Sequence, residues 1–335
     1  MCSASATRVI PMRELRYYEA LNEALAEELR RDENVVLMGE DIGLFGGTFR
    51  VTEGLMAEFG SRRVRDTPIA EAAIVGVSLG AALARLRPVP ELMTMNFAIV
   101  AMDQIVNHVA KARYMFGGQF DVPITIRAPG GGGTQKGAQH SHSIESWFVN
   151  TPGLRIAIPG TPYDAKGLLK TAIRSNDPVL FIEHEMLYST KGPVPEEEYL
   201  IPFGEADIKR AGSDLTIVTW SKMLLEALHA AETLAAEGIE AEVLDLRTLN
   251  PLDWDAVYSS VARTRRCVVA EEGWRNVGVG AEIASRVQEH LFYQLDAPVQ
   301  RVAAVDVPTP YASPLEQAAL PNAQDIVNTA LKIST

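Results

Sequence analysis

Glu71 heads a run of thirteen uncharged residues, Ala72 to Ala84, where helix formation carries a carboxylate toward a packed interior. An unpaired carboxylate buried in this way costs several kcal/mol. Sequence alone leaves two readings open. Glu71 is either a solvated acid complementing the dipole of a helix that Pro68 begins, or an acid that something at this place requires to be buried. The other chemistry-bearing residues fall in loops. Glu40 and Asp41 lie in "GEDIGLFGGTFRV", Asn96 and Phe97 end "LMTMNF", and Gln139, His140, Ser141 and His142 follow the glycine run of "PGGGGTQKGAQHSHS". These loops fall where parallel sheets place functional groups, just after strands, and Phe97 is a candidate stacking platform there. Each also has a bland use: His140 as a solvated loop residue, Phe97 as core, Gly76 with Gly80 as a close helix-packing surface.

Metal and phosphate chemistry find little support. The six histidines are scattered, none pairs with an acid at zincin spacing, and Cys2 and Cys267 have no ligand spacing. "GGGG" lacks the Lys-Ser/Thr of a phosphate loop, and "GVGAE" at 278 to 282 is a lone strand-to-helix turn.

The elements that must position these loops alternate between strand and helix. "LRYYEALNEALAEELRRD" places Leu15, Tyr18, Leu21, Leu25 and Leu29 on one helical face, and "VVLMG" follows as a buried strand. "VPELMTM", "VPITIRA", "LRIAIP" and "PVLFIEH" read as further strands, with helices predicted through "VAMDQIVNHVAKARYMF" and "YDAKGLLKTAIRS". Such alternation predicts a mainly parallel sheet covered by helices, with functional groups in the loops after its strands. "YSTKGPVPEEEYLIPFGEADIKRAGSD" reads as a connection carrying one edge strand. Beyond it, "DLTIVTW", "AEVLDLR", "RCVVAEE" and "VQRVAAVD" predict a second, smaller α/β block. The expected organisation is a flexible start at 1–12, a first domain at 13–185, a linker at 186–205 and a second domain at 206–335.

A chain of 335 residues with 47% hydrophobic content has the length for two domains or three and for substantial cores. Its net charge of −12 argues against nucleic acid or an anionic membrane as main partner. Two cysteines give no disulfide framework, which fits a reducing compartment. "MCSASATRVIPMREL" has no apolar signal core, and the run after Glu71 is too short to span a bilayer, so a cytoplasmic location is expected.

Together "LMGEDIGLFGGTFRVTEGL", "DTPIAEAAIVGVSLGAA", "LMTMNF", "DQIVNHVAK", "AQHSHS" and "DVPTPYA", in this order across nearly the whole chain, resemble the beta subunits of thiamine-diphosphate-dependent 2-oxo acid dehydrogenases. Within that family the likeness is greatest to the pyruvate dehydrogenases. The resemblance implies a transketolase-like pyrimidine-binding domain followed by a transketolase C-terminal-type α/β domain. It also implies oxidative decarboxylation of pyruvate with reductive acetylation of lipoyl groups.

By the same resemblance, Glu71 is the acid that bonds the cofactor's aminopyrimidine, its proton affinity raised by desolvation. Phe97 stacks on that ring, Ile69 lines its pocket, and Glu40 exchanges protons between paired active sites. His140 faces the substrate end and serves acetyl transfer; His142 departs from the family pattern, which leaves open which imidazole faces the cofactor. A potassium ion is implied on the main-chain carbonyls of Ile124, Ala172, Ile173, Ser175 and Asp177. The chain lacks the Gly-Asp-Gly segment and later Asn-Asn pair that hold diphosphate and Mg2+ in thiamine enzymes, so an alpha subunit is implied to supply them in an α2β2 heterotetramer. The uncharged helix with Gly76 and Gly80 would then pack against its symmetry mate. A lipoyl-bearing acyltransferase is the further implied partner. The alternatives are a branched-chain 2-oxo acid or acetoin dehydrogenase beta subunit, half of a split transketolase, or a non-catalytic scaffold subunit.

Overall fold

The computed structural model describes residues 12–334. Of the start expected to be flexible, Met12 begins the first strand and residues 1–11 lie outside the described part. In chain order the strands are β1 (Met12–Arg16), β2 (Val35–Gly39), β3 (Val64–Asp66), β4 (Arg87–Glu91), β5 (Thr125–Gly130), β6 (Arg155–Ala157), β7 (Val179–His184) and β8 (Lys191–Pro195). They continue with β9 (Asp207–Arg210), β10 (Leu215–Thr219), β11 (Ala241–Asp245), β12 (Thr248–Asn250), β13 (Cys267–Trp274) and β14 (Gln300–Ala304). One sheet runs β12-β6-β7-β5-β4-β2-β3, parallel except where β12 meets β6. A second runs β14-β13-β10-β11-β9, parallel except at β9. β1 and β8 form a separate antiparallel ribbon.

Burial explains the strand sequences. β2, β5 and β7 are buried at every residue, because helices cover both faces of a parallel sheet. One face is packed by the helices Tyr17–Arg31 and Pro162–Arg174 through Tyr17, Leu21, Leu25, Leu168 and Leu169. On the other face a single apolar cluster runs from Ile105, Ile126 and Phe148 into Val218, Leu244 and Val269 of the second sheet, so the two sheets share a core.

The elements depart from the sequence reading in three places. Leu15 belongs to β1, opposite Gly192, and the first buried position of the helix falls to Tyr17 while Tyr18 is only partly covered. The pattern "MRELR" alternates exposed and half-covered residues, a period of two that the helical spacing had masked. The expected single helix after "LMTMNF" opens as a widened π-type stretch over Gln104–Val109 before Ala110–Met115. Finally, β12 lies beyond the connecting segment yet joins the first sheet.

Candidate active site

Glu71 is the first residue of the Glu71–Leu83 helix and only 6% exposed. The helix starts three residues after Pro68, and Ala70 before it offers no side-chain cap. The acid in the first turn therefore has the dipole as its helical support. Ile74, Val75, Ser78 and Ala82 turn inward with Glu71. On the outer face Val77 is 64% exposed, and a Cβ added at Gly80 would meet nothing within 4 Å.

Glu40 lies nearby, one residue beyond β2, whose Gly39 is in register with Glu91 of β4. It is buried, and its Oε1 has no hydrogen-bond partner among the described residues. Burial pushes its carboxyl above the usual range, and the charges acting on it, from Glu71, Asp41 and Glu91, push the same way. Glu40 is thus a second buried acid beside Glu71.

The β4 strand leads into a short turn in which the Thr94 hydroxyl accepts from the Asn96 amide at 3.2 Å. Asn96 is buried and its Nδ2 has no partner among the described residues. The next residue, Phe97, meets His140 edge to face, with centroids 5.4 Å apart and planes at 87°. His142 turns the other way, onto Trp274 of β13 at 5.4 Å. Burial lowers the proton affinity of His142, against a main-chain contact from Ala138, with the neighbouring His140 imidazole acting in the same direction as burial. The imidazole beside Phe97 is therefore that of His140.

His140 rides on the long loop after β5. Gly131 has φ +92°, and a Cβ there would fall 2.0 Å from Nε2 of His184, so only glycine fits. Glu272 of β13 reaches across to accept from Gly132 N at 2.8 Å, Ser143 Oγ at 2.7 Å and His184 Nε2 at 3.0 Å. Nδ1 of His184 accepts from Met186 N at 3.1 Å, which leaves its proton on Nε2 facing Glu272. A cavity of ≈ 20 Å³, about the room of one water, is lined here by His142, Ser143, Glu145, His184 and Glu272. Burial pushes the Glu145 carboxyl up to about 7 although Trp220 Nε1 donates to it at 3.1 Å.

A buried ion cluster that sequence reading missed stands behind the acid pair. Arg127 of β5 is fully enclosed between Glu91 and Glu183, bonding Glu183 at 2.7 and 2.9 Å, and Tyr188 donates to Glu183 at 2.6 Å. The available signal was a charged residue inside each of three largely apolar strands, Glu91, Arg127 and Glu183. Glu91 contributes to the field that raises Glu40, so this cluster is electrostatically continuous with the candidate site.

One expected feature is not brought to the acids within this chain. Ile69 is 78% exposed. The five carbonyls expected to hold potassium already have protein donors: Val179 N on Ile124, Ser175 N on Ala172, Ser175 Oγ on Asp177, and Arg87 Nη1 at 3.0 Å from both Ile173 and Ser175. The guanidinium of Arg87 brings positive charge to this cradle. Each carbonyl oxygen has two lone pairs, so a protein donor on one leaves the other for a cation. Among the described residues no three His, Cys, Asp or Glu side chains gather around a common metal position. No helix there is long and apolar enough to cross a membrane.

Comparison with known proteins bears on this geometry. Residues 13–191 match the family described as transketolase, pyrimidine binding domain, and residues 204–326 match transketolase, C-terminal domain. The pyruvate dehydrogenase E1 component subunit beta of Dictyostelium discoideum, a mitochondrial protein, is 45% identical over 98% of this chain and 93% of its own. The mitochondrial beta-1 subunit of Arabidopsis thaliana is 48% identical over 95% and 89%, and the Bacillus subtilis beta subunit 46% over 96% and 99%. A solved structure titled as a split gene transketolase, inactive beta4 tetramer, superposes with a TM-score of 0.77 at 25% identity, covering 95% of this chain and 98% of that one. The expected cytoplasmic location is overturned by the mitochondrial assignment carried in the names of the Dictyostelium and Arabidopsis relatives.

Proposed function

Because this chain belongs to the family of pyruvate dehydrogenase E1 component beta subunits, we propose that it works as the beta half of a thiamine-diphosphate-dependent enzyme that decarboxylates pyruvate and acetylates lipoyl groups. The single observation that carries the site assignment is the pair of buried carboxyls, Glu40 with an unpartnered oxygen beside Glu71. Acids held together at such cost mark a place built for a ligand with matching donors. The unpartnered amide of Asn96 and the half-covered ring of Phe97 fit the rim of an aminopyrimidine site.

When bound, thiamine diphosphate supplies an acidic thiazolium carbon and an electron sink for decarboxylation. Glu71 shares a proton with the aminopyrimidine nitrogen, and Phe97 orients that ring by stacking. Ile69 closes the pocket edge once neighbouring subunits cover it. Glu40, whose carboxyl readily holds a proton, relays protons to and from Glu71. His140, fixed beside Phe97, donates or accepts the proton that accompanies acetyl transfer to lipoyl sulfur. Arg127 pairs with Glu91 and Glu183 behind the site and holds them in place.

Diphosphate and Mg2+ are held by an alpha subunit in an α2β2 assembly, and the lipoyl-bearing acyltransferase receives the acetyl group. The exposed outer face of the Glu71–Leu83 helix, with Val77 and Gly80, packs against a second beta subunit. Domain limits follow at 13–185 and 206–335 with a connection at 186–205. The test is reconstitution with the alpha subunit, followed by calorimetric titration with thiamine diphosphate and Mg2+ and turnover with pyruvate and branched-chain 2-oxo acids. Cofactor binding and pyruvate turnover are expected only in the heterotetramer. Tight cofactor binding by the rigorously isolated chain, or a preference for branched-chain acids, would overturn the proposal.

A further inference from the structure

The loop that carries His140 is held from below by the second half of the chain. Its turn is left-handed at Gly131, Gly133, Gln135 and Gly137, and for Gln135, at φ +57°, the conformation is strained in a way glycine would not be. Glu316, in the Ser313–Ala319 helix, accepts from Gly133 N at 3.1 Å and from Gln135 N through both carboxylate oxygens at 3.2 and 3.1 Å. Glu316 is 2% exposed, and these two amides are its hydrogen-bond donors among the described residues. Main-chain amides turned to one side by a left-handed residue form an anion-binding concavity, and here the protein fills it with its own carboxylate. Neighbouring contacts follow the same direction. Leu320 lies under Gly132, and Thr309 Oγ1 donates to Ser141 O at 3.2 Å. His140 N closes the chain of contacts by donating to Gly137 O at 3.2 Å.

We infer that Glu316 is a positioning residue for His140: its carboxylate fixes the strained turn at Gly133–Gln135 and so sets where the imidazole stands relative to Phe97. The catalytic consequence rests on the role proposed above for His140; the clamp itself does not. A neutral side chain would fill the same volume but would leave the two amides without a pair of acceptors. A displacement of about 1 Å in a reacting group costs on the order of a hundredfold in rate.

The experiment uses the reconstituted heterotetramer carrying Glu316→Gln and Glu316→Ala, each also combined with His140→Ala. Hydrogen exchange over residues 131–143 reads the clamp directly, and thermal unfolding reports whether the fold survives. Reductive acetylation of a lipoyl domain and decarboxylation with an artificial electron acceptor read the consequence. Exchange in the loop is expected to quicken while the two sheets keep their protection. Lipoyl acetylation should fall about 10- to 100-fold with decarboxylation held within about threefold, and Glu316→Ala should add little once His140 is alanine. Unchanged exchange in both variants overturns the clamp, whatever His140 does. Quickened exchange with equal losses in the two assays, or a full additional loss in the His140→Ala background, overturns the link to the imidazole. If His140→Ala itself spares acetyl transfer, the proposed role of His140 falls, and the exchange measurement still decides the clamp.

Discussion

Glu71→Gln separates the two uses of a buried acid by magnitude. As a helix-start charge, Glu71 is worth about 0.3 to 1 kcal/mol, because it is one carboxylate in the first turn of a 13-residue helix with no side-chain cap before it. Its removal also relieves the like charge it places on Glu40, which lowers the Glu40 proton affinity and offsets part of that loss. Thermal unfolding should therefore shift by only a few degrees. As a proton partner, the same residue carries a step for which positioned side chains typically contribute about a hundredfold to ten-thousandfold. Glutamine keeps the shape and cannot share the proton. The assay is exchange of the thiazolium proton in the reconstituted heterotetramer at saturating cofactor, read beside the melting curve. Near-normal exchange would return Glu71 to a purely structural place and remove the main support for the mechanism. A large loss of stability would show that the electrostatic account of the acid pair is wrong.

Glu145 gives a pH signature. Its carboxyl is held protonated up to about 7 in the folded chain, so between about pH 4.5 and 7 the folded form keeps a proton that the unfolded form has released. Stability should fall as pH rises through that window and stay at the lower level above it. Glu145→Gln should flatten the fall and raise stability at pH 8 by up to about 3 kcal/mol, measured by urea unfolding at pH 5 and 8; an unaltered slope would refute the burial argument. Arg127→Met strands Glu91 and Glu183 inside the sheet and should cost about 3 to 5 kcal/mol, with recovery when both acids become glutamine. A loss under about 1 kcal/mol would show that water or protonation already satisfies them. His140→Ala should harm lipoyl acetylation far more than decarboxylation, whereas His142→Ala, which removes a ring packed on Trp274, should be mild in both assays. The reverse ranking would exchange their roles.

The alternation of strands and helices was legible because burial on both faces writes continuous apolar runs, as in "VVLMG" and "VLFIEH". Glu71 was legible because a charge at the edge of thirteen neutral residues is conspicuous. The pairing of Phe97 with His140, by contrast, joins residues on separate strands' loops, and only the sheet order brings them together. Arg127 hid in plain view: its partners lie 36 and 56 residues away, and no local spacing reports a contact across parallel strands. Glu272 and Glu316 were invisible for the same reason, since their partners, main-chain amides for Glu316 and an amide, a hydroxyl and an imidazole for Glu272, lie in another block. The potassium expectation concerns main-chain carbonyls, which carry no signature in side-chain sequence, and no periodicity links Arg87 to the carbonyls of residues 173 and 175 that it contacts.

The strand Thr248–Asn250 has a consequence for how this chain is made. Ribosomes deliver the amino-terminal sheet first, yet β6 remains an open border, with its unpaired amides and carbonyls facing outward, until residue 250 has left the exit tunnel. For that interval the nascent chain carries a sticky flank that chaperones must shield. A gene cut at the connecting segment, the obvious place to divide it, would make that interval permanent. Its product should precipitate or pair with itself along β6, even though every catalytic candidate from Glu40 to His142 would be present in it.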